Sequence, residues 1–157
     1  MNAKRRTFLK SAGAVSSVAV AVAAGLIKPT EVMAAEWNKP AFEAKTLADA
    51  MKNIGIVNAT ADSRDVLIKA PDIAENGSVV PVEITSKIAG TTSIAILVEK
   101  NPNPLIASFD LENGAEGYIS ARIKMGQTSN VRVVVKAGGK SYTAVKEVKV
   151  TIGGCGG

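Results

Sequence analysis

The sequence predicts an all-β protein: an immunoglobulin-like antiparallel β-sandwich of about seven short strands, preceded by a short N-terminal helix and followed by a flexible glycine-rich arm. Three observations lead there. From about residue 63 the apolar residues recur at every second position, the period of a half-buried strand. Clusters rich in Gly, Pro and Asn interrupt that pattern at short intervals, as turns do. The chain has 157 residues, enough for one core, and it shows no internal repeat and no second domain.

The first 34 residues stand apart from that domain. Lys4, Arg5, Arg6 and Lys10 form a basic start, and a mildly apolar run of Ala, Val, Ser and Gly extends from Ala12 to Ile27. Val32-Met33-Ala34 puts small residues where a signal peptidase inspects. This is a three-part export signal, and the Arg5-Arg6 pair marks the twin-arginine kind. The apolar run is too short and too rich in Ala, Ser and Gly to span a membrane, which takes ~20 strongly apolar residues; an N-terminal anchor helix is the competing reading. Cleavage is expected after Ala34. The organisation is therefore a signal peptide over 1–34, a β-domain over 35–152 and an arm over 153–157.

Residues 35–58 read as helical and amphipathic, a short helix closing one end of the core. Thr46 is a good cap, with Asp49 three residues on as in a capping box. Leu47, Met51 and Ile54 share one helical face, and Gly55 is a stop. The strands follow. Candidates are Val66–Ala70, Val79–Thr85, Thr92–Lys100 and Leu105–Asp110. Next, Ile119, Ala121, Ile123 and Met125 alternate with Tyr118, Ser120, Arg122 and Lys124. The valine-dense run Val131–Lys136 is β-branched. Last, Tyr142, Ala144, Lys146, Val148, Val150 and Ile152 alternate with Thr143, Val145, Glu147, Lys149 and Thr151. Glu75-Asn76-Gly77, Asn101-Pro102-Asn103-Pro104, Glu112-Asn113-Gly114 and Gly138-Gly139 separate them. Pro81 inside its run points to an edge strand, because proline donates nothing to a ladder. Trp37 precedes the strands, so the cysteine pair and core tryptophan of antibody domains are missing.

Composition narrows the chemistry. The net charge of +5 comes from 19 basic and 14 acidic residues. The first 34 residues hold five basic residues (Lys4, Arg5, Arg6, Lys10, Lys28) and one acidic (Glu31); removing them leaves 14 basic and 13 acidic, a net of +1. No basic block remains to bind nucleic acid. There is no histidine, which excludes Ser-His-Asp and Cys-His nucleophile activation within the chain. Haem or zinc sites that need an imidazole from this chain are excluded too.

The one cysteine, Cys155, stands in Gly153-Gly154-Cys155-Gly156-Gly157. An exported protein normally pairs its cysteines, and an odd one implies an intermolecular bond or a reactive thiol. Four glycines in five residues cannot build a core. They form a thin arm that reaches at most ~18 Å and can enter a narrow site on another protein. The nearest charge, the C-terminal carboxylate, disfavours the thiolate; Lys146 and Lys149 lie on the preceding strand and could oppose it. Prenylation needs the cysteine fourth from the end, and here it is third. With no base beside it, this thiol is suited to be loaded and unloaded by others rather than to catalyse. The competing readings are a periplasmic thiol redox protein and a structural module whose cysteine cross-links subunits.

Taken together, the twin-arginine signal, the β-domain and the terminal Gly-Gly-Cys-Gly-Gly resemble the SoxY family. Similar segments are Ala70-Pro71-Asp72-Ile73-Ala74-Glu75-Asn76-Gly77, Val79-Val80-Pro81-Val82, and Glu99 through Phe109. The likeness spans essentially the whole chain. It implies a carrier subunit of the periplasmic system that oxidises thiosulfate and other inorganic sulfur compounds. It also implies a heterodimer with a SoxZ-like β-sandwich subunit. Thiosulfate would be joined to Cys155 by a SoxXA-like c-type cytochrome, giving a cysteine S-thiosulfonate, and a SoxB-like hydrolase would release sulfate. In some systems a molybdenum–haem enzyme oxidises the remaining sulfane sulfur. The carrier itself is implied to hold no metal or other cofactor, and to have no catalytic residues.

Overall fold

The chain divides into two units, Met1–Glu36 and Trp37–Gly157, and this computed structural model describes residues 37–56 and 61–151. The export signal expected over 1–34, with Arg5 and Arg6, lies outside the described residues.

Where one helical stretch was expected, two short helices form: α1 (Lys39–Glu43) and α2 (Leu47–Asn53). The break has a local cause. Thr46 is extended (φ −118°, ψ 151°), and its hydroxyl oxygen accepts the Asp49 N–H at 3.1 Å, which starts a new helix there. The Thr46 hydroxyl also donates to the Asp49 carboxylate at 2.7 Å. Asn38 caps α1 by accepting from the Ala41 N–H, and Pro40 sits in the first turn. Gly55, at φ +78°, ends α2 as the sequence indicates. Two asparagines tie the helices together: Asn38 donates to the Asn53 carbonyl and Asn53 to the Pro40 carbonyl, both at 2.9 Å.

Among the described residues nine strands follow, two of them only two residues long. They are β1 (Ala61–Asp62), β2 (Val66–Lys69), β3 (Ile73–Ala74), β4 (Val80–Ser86), β5 (Thr91–Val98), β6 (Leu105–Asp110), β7 (Tyr118–Ile123), β8 (Ser129–Ala137) and β9 (Lys140–Val150). The larger sheet has the order β1-β9-β8-β5-β6, with β3 also on β9; the smaller is β2-β4-β7. This is the all-β sandwich that the alternation predicts. It departs from pure antiparallel pairing in one respect: β1 and β3 both run parallel to β9.

The core lies between the sheets. Ile94, Ile96, Val98, Val131, Val133, Val135 and Val148 of the larger sheet meet Val66, Val80, Val82, Ile84 and Ile123 of the smaller. Fully burying one such side chain contributes roughly 1.5–3 kcal/mol. The central strands are buried on their other face as well. There Ala95, Leu97, Leu105 and Val134 pack against Ala41, Ala44, Ala50 and Ile56. The helices therefore cover a face of the larger sheet instead of closing one end of the core. That second cover is the reason Ile94–Val98 and Val133–Val135 read as unbroken apolar runs.

Pro81 is not on an edge strand, since β4 is the middle strand of its sheet. The Ser86 N–H donates toward β7, to the Gly117 carbonyl, so by the period of two the Pro81 nitrogen faces the β2 side. The β2 ladder ends at Lys69 opposite Glu83, before it reaches Pro81. The proline thus occupies a position where no donor is needed.

Candidate functional site

Cys155 and its flanking Gly153, Gly154, Gly156 and Gly157 lie outside the described residues. What is described is the strand that leads to them and the contacts that hold its end. The hairpin between β8 and β9 turns at Gly138-Gly139, both at positive φ (+55° and +72°), as a tight two-residue hairpin requires. From there β9 runs the full length of the sandwich to Val150.

Both edges of β9 are held at that far end. The antiparallel ladder with β8 stops at Ser129 opposite Val148. Beyond it the Thr128 hydroxyl takes over: its oxygen accepts the Val150 N–H at 2.9 Å, and it faces the Val150 carbonyl at 3.4 Å. On the opposite edge, β3 pairs Ile73 with Lys149 and Ala74 with Val150. The Lys149 N–H donates to the Asp72 carbonyl at 3.0 Å, and the Thr151 N–H to the Ala74 carbonyl at 3.2 Å. A Lys146–Asp72 ion pair at 2.9 Å adds a side-chain tie. The chain is therefore fixed through Thr151, four residues before Cys155.

The neighbouring loops brace the same end. The Met125 N–H donates to the Gly77 carbonyl at 2.7 Å, joining the loop after β7 to the loop before β4. Asn101 donates to the Lys124 carbonyl and accepts from the Gly126 N–H. Asn103 donates to the Phe42 carbonyl and accepts from Lys45. Glu99 takes Arg132 on one carboxylate oxygen (2.7 Å) and Asn130 on the other (3.0 Å). The asparagine-rich turn therefore supports the end of the sandwich where β9 finishes.

Of the two lysines expected near the thiol, Lys146 is occupied by Asp72 and about two-thirds buried (30% exposed), while Lys149 is exposed. Among the described residues, a raised proton affinity is found on the outer face of the smaller sheet. There Lys69 is held above its ordinary value, first by its hydrogen bond to Glu83 and then by that carboxylate's charge. It belongs to a different surface from the end of β9.

A groove of about 530 Å³ is lined by Asp62, Ser63, Arg64, Arg132, Thr143, Ala144 and Val145. It lies six residues or more before Thr151 on β9, which at ~3.3 Å per residue is about 20 Å. Four residues of chain beyond Thr151 reach at most ~14 Å, too short to bring Cys155 back to it along the strand. Arg132 in its lining is already bound to Glu99, and Asp62 contributes a carboxylate to the same lining. No helix among the described residues is long and apolar enough to cross a membrane.

Asp72, Ile73 and Thr128 are the residues that sequence reasoning missed. A two-residue strand has no period to detect, and a hydroxyl capping a remote strand end leaves no local mark.

The comparisons with known proteins bear on the same region. The family model described as "Sulfur oxidation protein SoxY" matches residues 51–155, a range that ends on Cys155. The solved structure of the sulfur carrier protein SoxY from Chlorobium limicola f thiosulfatophilum is 45% identical, with a TM-score of 0.63. The match covers 68% of this chain and 97% of that one. A structure of the bacterial superantigen toxic shock syndrome toxin-1 matches at 12% identity and a TM-score of 0.40, over 54% of this chain and 98% of that one; at that level it carries no argument. No curated protein matches the chain.

Proposed function

The chain belongs to the SoxY family of sulfur oxidation proteins, and on that premise we propose that it carries sulfur compounds in thiosulfate oxidation, with Cys155 as the covalent attachment point. The observation that carries this reading is the family match that runs through Cys155, together with a 45%-identical relative that is a sulfur carrier. The clamped end of β9 supports it physically. A short glycine-flanked segment can present a thiol at a defined place only if its root does not move.

Loading is an oxidation. The Cys155 thiol would lose its proton and its sulfur would bond to the outer sulfur of thiosulfate, with the two electrons passing one at a time to a SoxXA-like c-type cytochrome. The product is the cysteine S-thiosulfonate. Hydrolysis by a SoxB-like enzyme then adds water across the bond to the sulfone, releasing sulfate and a proton and leaving a persulfide on Cys155. A molybdenum–haem enzyme would act on that sulfane sulfur. In this scheme the carrier supplies reach and a docking surface and no catalytic group of its own. A SoxZ-like subunit completes the heterodimer. Export through the twin-arginine signal, Arg5-Arg6, with cleavage after Ala34, would place the folded domain in the periplasm.

Intact-mass measurement of the protein isolated from cells respiring thiosulfate tests the reading. Adducts of sulfur and of thiosulfate on Cys155, removed by reductant, are the expected result. Unmodified thiol alone, or a simple disulfide alone, would overturn it. Cys155→Ser should abolish thiosulfate oxidation while leaving the melting transition and subunit pairing unchanged.

A further inference from the structure

We propose that the open edge of β7 pairs antiparallel with the same edge of a second copy of this chain, centred on Ser120, so that the smaller sheets of the two copies join into one. The inference goes beyond the carrier reading and does not depend on it. β7 ends the order β2-β4-β7, and no described strand pairs with its far edge. The Gly117 carbonyl points at β4, where it accepts the Ser86 N–H. By the period of two, Ile119 and Ala121 also turn their backbone groups to β4, and Ser120 and Arg122 turn theirs outward. The Tyr118 carbonyl points outward with them, while its N–H is taken by the Glu116 carbonyl at 2.8 Å. A row of free backbone donors and acceptors is a template for another strand, and edges are usually blunted by proline, bulges or inward charges. β7 has none of these. Its register with β4 runs unbroken from Tyr118 to Ile123, and its inward side chains are Ile119, Ala121 and Ile123. β6, the edge of the larger sheet, is blunted by an irregularity that leaves Ile106 without a partner on β5.

The side chains select a second copy as the occupant. Pairing about Ser120 sets Ser120 opposite Ser120 of the second copy, and each exchanges N–H and carbonyl with the other. Tyr118 then falls opposite Arg122 of the second copy, and Arg122 opposite its Tyr118, the reciprocal pattern of a twofold interface. Each Arg122 N–H meets a Tyr118 carbonyl, and each guanidinium lies against a phenol ring that is 49% exposed in the single chain. On the inner face Ile119 falls opposite Ala121, a large side chain beside a small one. Both are only half-buried against the core. β2 packs against β9, which leaves β7 on the β6 side of the sandwich, where Phe109 and Leu111 are half-buried too. Pairing therefore also covers the rim of the core on that side. Sliding the register brings Ser120 opposite Arg122 and then Arg122 opposite Arg122, like charges that repel. The register centred on Ser120 is the one that matches every residue of the strand's middle with a fitting neighbour.

The test is the oligomeric state of the protein carrying Cys155→Ser, so that no disulfide of that thiol contributes. Sedimentation equilibrium should give a dimer. Ser120→Pro removes the central donor on the edge that β4 does not use, and should weaken the dimer at least about tenfold with an unchanged circular dichroism spectrum. Ser120→Cys in the same background tests the register independently of any folding defect. Opposed Cα atoms about 5.5 Å apart lie within disulfide range, so a mild oxidant should convert most of the dimer to a covalent one. Ser108→Cys, exposed on β6, should stay unlinked. The complex with the co-purified partner subunit should also hold this chain in pairs. A monomeric chain, a dimer that Ser120→Pro leaves intact, or equal cross-linking of Ser108→Cys overturns the inference. Loss of the partner subunit from Ser120→Pro also overturns it and assigns the edge to that subunit. Sulfur loading of Cys155 is read separately by mass in the unaltered protein, so failure of the carrier reading leaves this result standing.

Discussion

Thr128→Val isolates one bond at the end of β9. The substitution keeps the side chain's shape and removes the oxygen that accepts the Val150 N–H at 2.9 Å. The second contact, at 3.4 Å to the Val150 carbonyl, is beyond good O–H···O range and adds little. Leaving a buried donor without its acceptor costs about 1–3 kcal/mol. Val150 is only half-buried, so water partly replaces the lost partner, and about 1–2 kcal/mol is the reasoned figure. That corresponds to a factor of about 5–30 in the local opening equilibrium. Native-state amide exchange should therefore quicken by that factor at Val150, with a smaller change at Val148, whose ladder to Ser129 is intact. Exchange at Val133, in the middle of β8, should follow only the global stability measured by urea unfolding. An unchanged Val150 rate would refute the clamp. Equal acceleration at Val150 and Val133 would show that Thr128 serves the whole fold and not the root of the thiol-bearing segment.

Two further substitutions test the supports around that end. Arg132→Met leaves the Glu99 carboxylate, 22% exposed, with Asn130 as its remaining partner. Urea unfolding should show a loss of about 1–3 kcal/mol, of which Glu99→Gln in the same chain restores part. Pro81→Ala should cost no more than about 1 kcal/mol, the entropy returned to the unfolded chain, because no ladder acceptor faces that nitrogen. A gain in stability on thermal melting would mean that a backbone bond had been waiting there.

Much of the fold was legible because it is written locally. Thr46 and Asp49 are three residues apart, so their cap is visible in sequence, and Gly55 marks the stop beside it. Tyr118–Ile123 shows its two faces in six residues, and Gly138-Gly139 shows its hairpin in two. The errors share a cause. Whether residues 35–58 form one helix or two depends on Thr46 finding an extended backbone. Whether Pro81 is at an edge depends on where β2 happens to end. Neither is a property of the residues alone.

By itself, then, the sequence determined the alternating strands, the turns and a single thiol set among glycines, because period and composition are carried by neighbours in the chain. Only the tertiary structure decided that β9 is gripped on both edges where it approaches that thiol. Thr128 meets Val150 from 22 residues away, and Ile73 reaches Lys149 from the other side of the domain's chain. Hydrogen bonds between segments so far apart leave no trace in either one. They exist because Thr128 stands just before β8, where the ladder to β9 has run out, and because the other edge of β9 is open there to β3.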